Sequence, residues 1–410
     1  MITFIHTADT HFGVENYGKT DPQTGVHSRL LDFEKALNSC VDTALEKQVD
    51  FFLFCGDAYK TTNPTPTQQK LFMRCLLKLH KANIPIVLVI GNHDNPLSFG
   101  KAHSLDVFGN LPLDGIHILA KPEIIKLNTK NGPVQIAGIP WPTRNTIAMS
   151  DKHLLKSANE VTTYISKAVS SIIQSYAQKL DPTIPAVLAG HLTVSTGIFS
   201  GSEKRAIYGN DPVFLPSQLA VKPFDYVALG HLHRHQNLNT GGYPALVYCG
   251  SPERVDFGER SEEKGFCLVS LEKNKTSYEF IKTPTRKFIQ LEVKLKPDQN
   301  QTEQILQELK KHDLTGAIVK IKYHVPAEKN DFVDLQAVQR ACEHAQYLVG
   351  IIPIRTTQVR ERRTDVQVDM EFEKLLGAYL DTKPELKEKK EMLIKKASQL
   401  FEQTKLSEQQ

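Results

Sequence analysis

The sequence predicts a layered α/β fold, and two observations support that prediction. Short apolar runs rich in Val, Ile, Leu and Phe alternate with longer segments of helical periodicity over roughly the first 280 residues. These apolar runs are continuous instead of alternating apolar with polar, which indicates strands covered on both faces. We therefore expect β-sheet enclosed between helices, in a chain whose 410 residues suffice for two or three domains.

The predicted elements alternate along this first part of the chain. Helical patterns cover residues 30–47, 65–82 and 153–179. The predicted strands are the apolar runs at residues 2–8, 50–55, 84–90, 134–139, 186–189, 226–229, 245–249 and 266–271. Together these elements predict one large domain over residues 1–284.

The remainder of the chain predicts three further segments. A strand, helix, strand, helix, strand pattern at residues 285–356 indicates a small separate α/β domain. Residues 357–369 have no apolar periodicity and are predicted to be a linker. Residues 370–410 contain two amphipathic helical segments, whose apolar stripes are Phe372, Leu375, Leu376, Tyr379 and Leu380, and Leu393, Ile394, Ala397, Leu400 and Phe401.

The composition limits the partners and the location. Lys and Arg number 50 against 46 Asp and Glu, a net charge of +4, which is compatible with a polyanionic partner without requiring one. The six cysteines are scattered with no Cys-x-x-Cys pair, as expected of reduced core residues in a cytoplasmic protein. No apolar run approaches the roughly 18 residues that a membrane span needs, so we expect neither a membrane anchor nor export.

Polar side chains follow five of the predicted strands at the point where each strand ends. The motifs are Asp-Thr-His at 9–11, Gly-Asp at 56–57, Gly-Asn-His-Asp at 91–94, Gly-His at 190–191 and Gly-His-Leu-His at 230–233. Ligands of open α/β sheets gather at the carboxyl ends of strands, so these ends can bring the side chains into one crevice. Residues i and i+2 of an extended chain point to the same side, which lets the two polar side chains of each D-x-H or H-x-H motif aim at one centre.

Seven of these side chains are candidate metal ligands: Asp9, His11, Asp57, Asn92, His191, His231 and His233. A set of carboxylates, imidazoles and an amide oxygen suits manganese, iron or magnesium more than a thiolate-type zinc site. Seven ligands are too many for one ion, whereas two ions about 3.5 to 4 Å apart that share a carboxylate would use them all. Each motif alone is an ordinary turn, but the ordered set after five strands predicts a two-metal site for phosphoryl transfer.

The motif set resembles the calcineurin-like metallophosphoesterases. Protein phosphatases of that superfamily carry Gly-Asp-x-Val-Asp-Arg-Gly and Gly-Asn-His-Glu, whereas this sequence reads GDAYKTTNP and GNHD. It is more similar to the nuclease subunits of SbcCD-type exonucleases, a resemblance that also covers YCGSPERVDFGERSEEKGF at 248–266, the small domain and the helical segments. The fold that this implies is a layered metallophosphoesterase fold with a small α/β cap domain and a C-terminal helical tail.

The resemblance implies roles for individual residues. One ion would be bound by Asp9, His11, Asp57 and His233, and the other by Asp57, Asn92, His191 and His231, with Asp57 as the bridge. His93 matches the catalytic histidine that stabilises charge at the scissile phosphate or protonates the leaving group without binding metal. The implied reaction is hydrolysis of DNA phosphodiesters with two divalent ions, Mn²⁺ being the first choice and Mg²⁺ or Fe²⁺ the alternatives.

Two positions near the motifs are harder to assign. After Asp57 the sequence departs from that branch, because Tyr59-Lys60 stands where a Phe-Asp or Phe-His continuation is usual. Lys60 is expected to be a solvated surface lysine or, alternatively, a phosphate contact. Asp94 is expected to orient a ligand histidine or, alternatively, to cap the next helix.

The resemblance also implies partners. They are DNA, an SbcC-type coiled-coil ATPase bound by the tail, and a second copy of the chain, giving a homodimer within a nucleoid-associated heterotetramer. The dimer would pair apolar positions of two segments unless these pack on the chain's own sheet: Leu71, Phe72, Leu76 and Leu79, and Leu105, Val107, Phe108 and Leu111. Two alternatives to a DNA nuclease stay open, namely a phosphodiesterase acting on small molecules and a non-catalytic scaffold without metals.

Overall fold

The computed structural model describes residues 1–96, 101–109, 114–143, 157–201, 211–326, 329–355, 372–381, 386 and 389–407. Its helices are α1 (Ser28–Glu46), α2 (Pro66–Lys81), α3 (Asp106–Gly109), α4 (Ala158–Lys179), α5 (Pro216–Leu219), α6 (Gln301–Leu309), α7 (Leu335–Ala341), α8 (Phe372–Asp381) and α9 (Lys390–Ser407). Its strands are β1 (Ile2–Thr7), β2 (Phe51–Cys55), β3 (Ile86–Val89), β4 (Ile116–Leu119), β5 (Glu123–Thr129), β6 (Gly132–Ile139), β7 (Ala186–His191), β8 (Thr193–Val194), β9 (Val213–Phe214), β10 (Tyr226–Gly230), β11 (Gln236–Asn237), β12 (Ala245–Tyr248), β13 (Gly265–Leu271), β14 (Ser277–Lys282), β15 (Phe288–Lys294), β16 (Ile318–Val325) and β17 (Tyr347–Arg355).

Two six-stranded sheets form the framework of the N-terminal part of the chain. The first sheet has the strand order β14-β13-β1-β2-β3-β4, and the second sheet has the order β11-β12-β10-β7-β6-β5. Strands β1 to β4 run parallel in the first sheet, as do β6, β7, β10 and β12 in the second. Parallel strands end at the same edge, so each sheet presents several carboxyl ends side by side.

The two sheets pack face to face, and helices cover their outer faces. Phe4 and Phe51 of the first sheet stack with their ring centroids 4.4 Å apart, in one buried cluster with Val187, Tyr226 and Val247 of the second sheet. Helices α1 and α2 cover the outer face of the first sheet, and α4 covers that of the second. This four-layer arrangement confirms the predicted layered α/β fold.

Helix α2 shows how the local sequence fixes these layers. Its N-cap Thr65 accepts a hydrogen bond from the backbone of Gln68, whose side chain accepts one from the Thr65 backbone, and Pro66 stands in the first turn. The apolar stripe of α2 is buried against the first sheet and consists of Leu71, Phe72, Leu76 and Leu79. The helix is therefore an integral layer of the fold and not a free surface.

This packing corrects the predicted dimer contacts. Besides the α2 stripe, Leu105 and Phe108 also lie in the protein's own core. Val107 is 41% exposed, and Leu111 lies outside the described residues. A side chain that packs in its own core cannot also pair across a two-fold axis, so the six buried positions do not form a dimer surface.

The strands and helices predicted for the N-terminal part are confirmed, with bounds that agree to within a few residues. The last of the three helices begins at Ala158, after the N-cap Ser157, and residues 153–156 of its predicted range lie outside the described residues. The longer strands that the sequence did not predict, β5 and β14, are mostly half-exposed and carry Lys, Glu, Asn and Thr among their apolar residues. Their patterns lack the continuous apolar run that identified the buried strands.

The C-terminal part also follows the predicted order of elements. Strands β15, β16 and β17 form a three-stranded sheet, here called the small sheet, and α6 and α7 lie between them in the sequence. In the tail, α8 packs on α9, with Gly377 facing Ile394. Residues 357–369, the predicted linker, lie outside the described residues.

The chain forms two compact units. One consists of residues 1–291, 306–321 and 334–351, and the other of residues 292–305, 322–333 and 352–410. The predicted domain boundaries at 284, 356 and 369 stay predictions. Among the described residues, no helix combines the length and the apolar character needed to cross a bilayer.

Candidate metal centre

The loops that follow β1 and β2 hold their polar residues in an uncommon backbone conformation. Asp9, His11 and Asp57 have φ angles of 55°, 44° and 58°, in the left-handed region that residues other than glycine rarely adopt. Backbone hydrogen bonds between the two loops maintain this conformation, from Asp9 to Gly56 at 2.9 Å and from His11 to Asp57 at 3.1 Å. Strain that the surrounding structure holds in place is typical of functional sites.

Asp57 lies at the centre of the cluster. Its Oδ2 atom lies 3.6 Å from Nε2 of His11 and 3.4 Å from Nε2 of His191. Its Oδ1 atom accepts a hydrogen bond from the backbone N–H of His93 at 2.9 Å. A Cβ atom at Gly91 would collide with this carboxylate, so glycine is required where the two loops meet. One carboxylate thus faces histidines on two sides, as a bridging ligand must.

Asp9, His11 and His233 form the first flank of the cluster. Each offers a ligand atom, and the three atoms lie within 4.8 Å of one another. The Nε2 atoms of His11 and His233 are 3.0 Å apart. Two nitrogens that bind one ion at about 2.1 Å and at right angles to each other lie about 3.0 Å apart, so this spacing fits a shared ion.

His191, Asn92 and His231 form the second flank. Nδ1 of His191 bonds to the backbone carbonyl of Cys55 at 2.7 Å, so its Nε2 atom faces Asn92 Oδ1 at 3.0 Å as well as Asp57. The His231 ring lies 5.2 Å from that of His191, and its buried Nε2 atom has no hydrogen-bond partner among the described residues. A buried ring nitrogen without a partner is costly unless a ligand occupies its lone pair, so this flank also fits a metal ion.

The charges of the cluster agree with a cation site. Burial raises the pKa of Asp9 to about 7, despite the histidines nearby. Burial acts in the same direction on Asp57, but His191, His93 and His11 outweigh it and hold the pKa of Asp57 well below its usual range. Burial lowers the pKa of His231 to about 3, which keeps that ring in the neutral form that binds metals. Buried carboxylates need positive charge beside them, and divalent ions would supply it.

The Asp94 carboxylate supports the cluster in a way that differs from the expectation. The Asp94 carboxylate accepts hydrogen bonds from the backbone of Asp57 at 2.8 Å, of Ala58 at 3.1 Å and of Gly91 at 3.1 Å, and from the Ser104 hydroxyl at 3.1 Å. It therefore holds the loop that carries Asp57, and the expectation that it orients a ligand histidine or caps a helix was wrong.

The departure at Tyr59-Lys60 also has a structural explanation. The Tyr59 side chain is buried in the core beside Phe72, with the ring centroids 5.3 Å apart. The backbone carbonyl of Lys60 pairs with Nδ1 of His93 at 2.9 Å, which fixes the direction of that ring. His93 also offers a ligand atom within 4.8 Å of those of His11 and Asp57. The loop thus positions His93 through its backbone.

All seven predicted ligands and His93 lie at this one cluster, and two neighbours had no predicted role. Glu259 is fully buried and bonds to Nδ1 of His233 at 2.8 Å. Trp141, the one tryptophan of the chain, has its ring 5.0 Å from that of His231 and 6.0 Å from that of His191. The motif stretch at 248–266 contains Glu259, but nothing in its local sequence indicates a histidine partner 26 residues away.

The chain is similar to known proteins over most of its length. The SbcD subunit of the nuclease SbcCD of Escherichia coli K12 is 28% identical over 276 residues, 66% of this chain and 65% of the relative. The protein of the same name in Staphylococcus epidermidis is 27% identical over 293 residues, 70% of this chain and 71% of the relative. A solved dimetal phosphatase from Danio rerio is 8% identical, with a TM-score of 0.42 over 68% of this chain and 95% of that one.

The family assignment covers the cluster described above. Residues 2–235, more than half of the chain, match the family model described as Calcineurin-like phosphoesterase. This range includes all seven residues of the predicted ligand set. Members of that family have a dinuclear metal site, which the clustered Asp and His side chains match. The chain belongs to the calcineurin-like phosphoesterase family.

Proposed function

We propose that this chain is a metal-dependent phosphodiesterase that hydrolyses DNA, as the nuclease subunit of an SbcCD-type complex that processes double-strand breaks and hairpins. The observation that carries the proposal is the buried cluster centred on Asp57, in which side chains from both sheets meet within hydrogen-bonding and ligand distances. The relatives are named as nuclease subunits, which supports a nucleic acid as the substrate. A DNA substrate would place the protein at the nucleoid of the cytoplasm.

Two divalent ions fit the donor set. We assign Asp9, His11, Asp57 and His233 to one ion, and Asp57, Asn92, His191 and His231 to the other, with Asp57 shared. Mn²⁺ is the proposed metal because the set mixes carboxylates, imidazoles and an amide, with Mg²⁺ or Fe²⁺ as alternatives. Bound divalent ions would act as Lewis acids toward the phosphate. They would also lower the pKa of water, so that hydroxide is available as the nucleophile at neutral pH.

His93 is the proposed catalytic residue. Its Nδ1 is engaged by the Lys60 carbonyl, and its backbone N–H is engaged by Asp57, so its Nε2 atom is the nitrogen left to meet a phosphate. Burial lowers the pKa of His93 in the protein alone. A phosphate dianion or diester at the cluster favours the imidazolium form, which can donate a proton to the leaving oxygen or stabilise charge on the phosphoryl oxygens.

The substrate class is tested by comparing DNA with a small diester. Linear duplex and hairpin DNA, and bis(p-nitrophenyl) phosphate, are incubated with the protein and Mn²⁺, with EDTA as the control. The proposal expects Mn²⁺-dependent cleavage of both DNA substrates at rates well above that of the small diester. Cleavage of the small diester alone would favour the small-molecule phosphodiesterase. If Mn²⁺ binds, as reported by a change in Trp141 fluorescence, and nothing is cleaved, the chain is a scaffold.

The tail is the proposed contact for a coiled-coil ATPase of the SbcC type. On the two packed helices, Leu375 is 40% exposed and Met392 is 63% exposed, although both are large apolar side chains. Lys and Glu residues surround these positions, which suits a surface that stays in solution until an apolar face docks on a partner helix. A second copy of the chain, giving a homodimer within a heterotetramer, is proposed through a surface other than the buried α2 stripe.

Docking through the tail is tested by truncation and by point changes. The chain truncated after Arg363 should keep Mn²⁺-dependent cleavage of single-stranded DNA and lose both association with the ATPase and stimulation by ATP. Leu375→Glu and Met392→Glu should weaken association in the full chain, whereas Lys396→Glu, at an exposed position of the same helix as Met392, should not. Full association of the truncated chain would show that the principal contact lies elsewhere.

A further inference from the structure

We propose that the 3-10 turn Phe257–Glu259 is a positioning element of the metal centre: Glu259 orients His233, and Phe257 links Glu259 to the small sheet. This inference rests on the proposed metal site. The turn is only three residues long, so Gly258 alone separates Phe257 from Glu259. The side chains of Phe257 and Glu259 contact different parts of the structure. One side chain lies beside a proposed ligand, and the other lies beside the first residues of two strands of the small sheet.

Glu259 holds the His233 ring in one orientation. Nδ1 of His233 donates a hydrogen bond to Glu259 Oε1 at 2.8 Å, which directs Nε2 toward His11. The second carboxylate oxygen of Glu259 accepts hydrogen bonds from Nζ of Lys264 at 2.9 Å and from the backbone of Val255 at 2.9 Å. A carboxylate anchored on both oxygens fixes the tautomer of a metal-binding histidine and leaves its other nitrogen free for the ion.

Lys264 strengthens the same arrangement. It is 2% exposed, and besides Glu259 its ammonium group contacts the backbone carbonyl of His233 at 3.0 Å and the Glu262 carboxylate at 3.1 Å. The ring and the main chain of His233 are therefore both held by one buried ion pair. Removing the negative charge of Glu259 would leave the Lys264 ammonium with less compensation and the His233 ring without its acceptor.

Phe257 connects this pair to the small sheet. Its ring centroid lies 5.0 Å from that of Phe288, the first residue of β15, and Ile318, the first residue of β16, belongs to the same buried cluster. Nζ of Lys320 lies over the Phe257 ring at 5.5 Å from its centroid, and Tyr17 packs edge-on at 5.2 Å. A shift of these strand ends would move Phe257, and Glu259 would move with it because the turn is tightly closed.

The orienting role is tested with two buried glutamates of the same segment. Glu253→Gln is the matched control, because Glu253 is 1% exposed but contacts Arg29 and the backbone of Arg254 and Arg286 instead of a proposed ligand. Mn²⁺ binding is followed by the electron paramagnetic resonance signal of free Mn²⁺, and circular dichroism checks the fold. In Glu259→Gln we expect one of two binding events to weaken by about 10- to 100-fold and the other to stay unchanged.

The outcomes separate this inference from the proposed function. If the wild-type chain binds no Mn²⁺, the proposed metal site fails and the inference fails with it. If the wild-type chain binds two ions and folded Glu259→Gln binds both with the same affinities, the metal site stands and the orienting role is wrong. An equal loss in Glu253→Gln would also overturn it, because the effect would then belong to any buried carboxylate of the segment.

The link through Phe257 is tested by a double-mutant cycle. Phe257→Ala should weaken the same binding event as Glu259→Gln, by a smaller factor, because the turn would lose its contact with the small sheet. In the Glu259→Gln background, Phe257→Ala should have no further effect, since it acts through Glu259. Equal factors in the two backgrounds, or no effect of Phe257→Ala in the wild-type chain, would show that the small sheet is not linked to His233 by this turn.

Discussion

The two sheets contribute different chemistry to the same cluster. The loops of the first sheet carry both carboxylates, Asp9 and Asp57, together with Asn92 and His93, whereas the second sheet contributes only histidines: His191, His231 and His233. On the first sheet, Asp9, His11 and Asp57 have a left-handed backbone. Among the three histidines of the second sheet, only His231 has one. The first sheet therefore supplies both carboxylates and most of the strained residues, and the second supplies imidazole nitrogens.

This difference shows that the site depends on the packing of the sheets. In the proposed assignment neither sheet alone provides all the donors for one ion, because each ion takes donors from both sheets. The Asp57 carboxylate accordingly faces His11 on its own sheet and His191 on the other. The apolar cluster between the sheets, which includes Phe51, Val87 and Val187, fixes their separation. Close packing of such an interior sets the relative position of donors to within a fraction of an ångström. The proposed site therefore depends on the packing of both sheets.

The largest effect is expected at Asp57, whose carboxylate faces histidines of both sheets. Asp57→Asn should abolish cleavage of DNA and most binding of both ions, because a neutral amide cannot compensate two divalent charges. Asp50→Asn is the matched control, since Asp50 is also buried but precedes β2, whereas Asp57 follows it. Mn²⁺ stoichiometry and the rate of DNA cleavage are measured for both. Wild-type activity in Asp57→Asn would contradict the two-metal assignment.

The sequence could predict the part of this site that is local. Each proposed ligand stands within a few residues of the end of a buried strand, so hydrophobic pattern and motif order together predicted seven side chains that do lie in one cluster. Glu259 and Trp141 were not found, because their contacts with His233 and His231 depend on how distant loops fold over the edge. Strands such as β14 were missed for a related reason: a half-exposed strand lacks the continuous apolar run that burial on both faces requires.

Replacing His93 should distinguish an effect on catalysis from an effect on metal binding. In His93→Ala the ions should stay, and the cleavage rate should fall by about 10²- to 10⁴-fold if the ring acts as a general acid. His103→Ala is a control in the following segment, where His103 pairs with Asp106 at 2.8 Å and touches no proposed ligand. Single-turnover rates and Mn²⁺ stoichiometry are measured together. Loss of an ion in His93→Ala would mean that this histidine is itself a ligand.

Asp94 provides a milder change to the first sheet, because it supports the Asp57 loop and is not one of the proposed ligands. Asp94→Asn keeps the shape but turns one acceptor oxygen into a donor that faces backbone N–H groups, so the loop loses part of its anchorage. We expect Mn²⁺ affinity to fall by about 10-fold, the low end for groups that orient ligands. Ser104→Ala removes only one of the hydrogen bonds to Asp94 and should change affinity by less. Equal effects of the two changes would contradict the anchoring role.

The smallest effect concerns His6, a buried polar link between the two sheets. This buried residue of β1 pairs with the Tyr226 hydroxyl and the Leu229 carbonyl of β10, both at 3.2 Å. Burial lowers the pKa of His6 from 6.5 to about 3. Since the folded state disfavours the protonated ring, the link contributes fully to stability above pH 6.5 and its contribution falls as the pH decreases toward 3.

Replacing His6 should therefore cost stability near neutral pH and cost less in acid. His6→Asn should lower the free energy of unfolding by about 1 to 3 kcal/mol at pH 7.5, because buried partners lose their hydrogen bonds. This cost should shrink by about 1.4 kcal/mol for each pH unit below 6.5, since only the wild-type chain must exclude a proton there. Urea unfolding in EDTA at pH 7.5 and 5.5, followed by Trp141 fluorescence, measures the free energy of unfolding of both proteins. As the control, His344→Asn changes a side chain that is 79% exposed and should leave the free energy of unfolding unchanged at both pH values. A cost that is the same at both pH values would mean that His6 is not held neutral between the sheets.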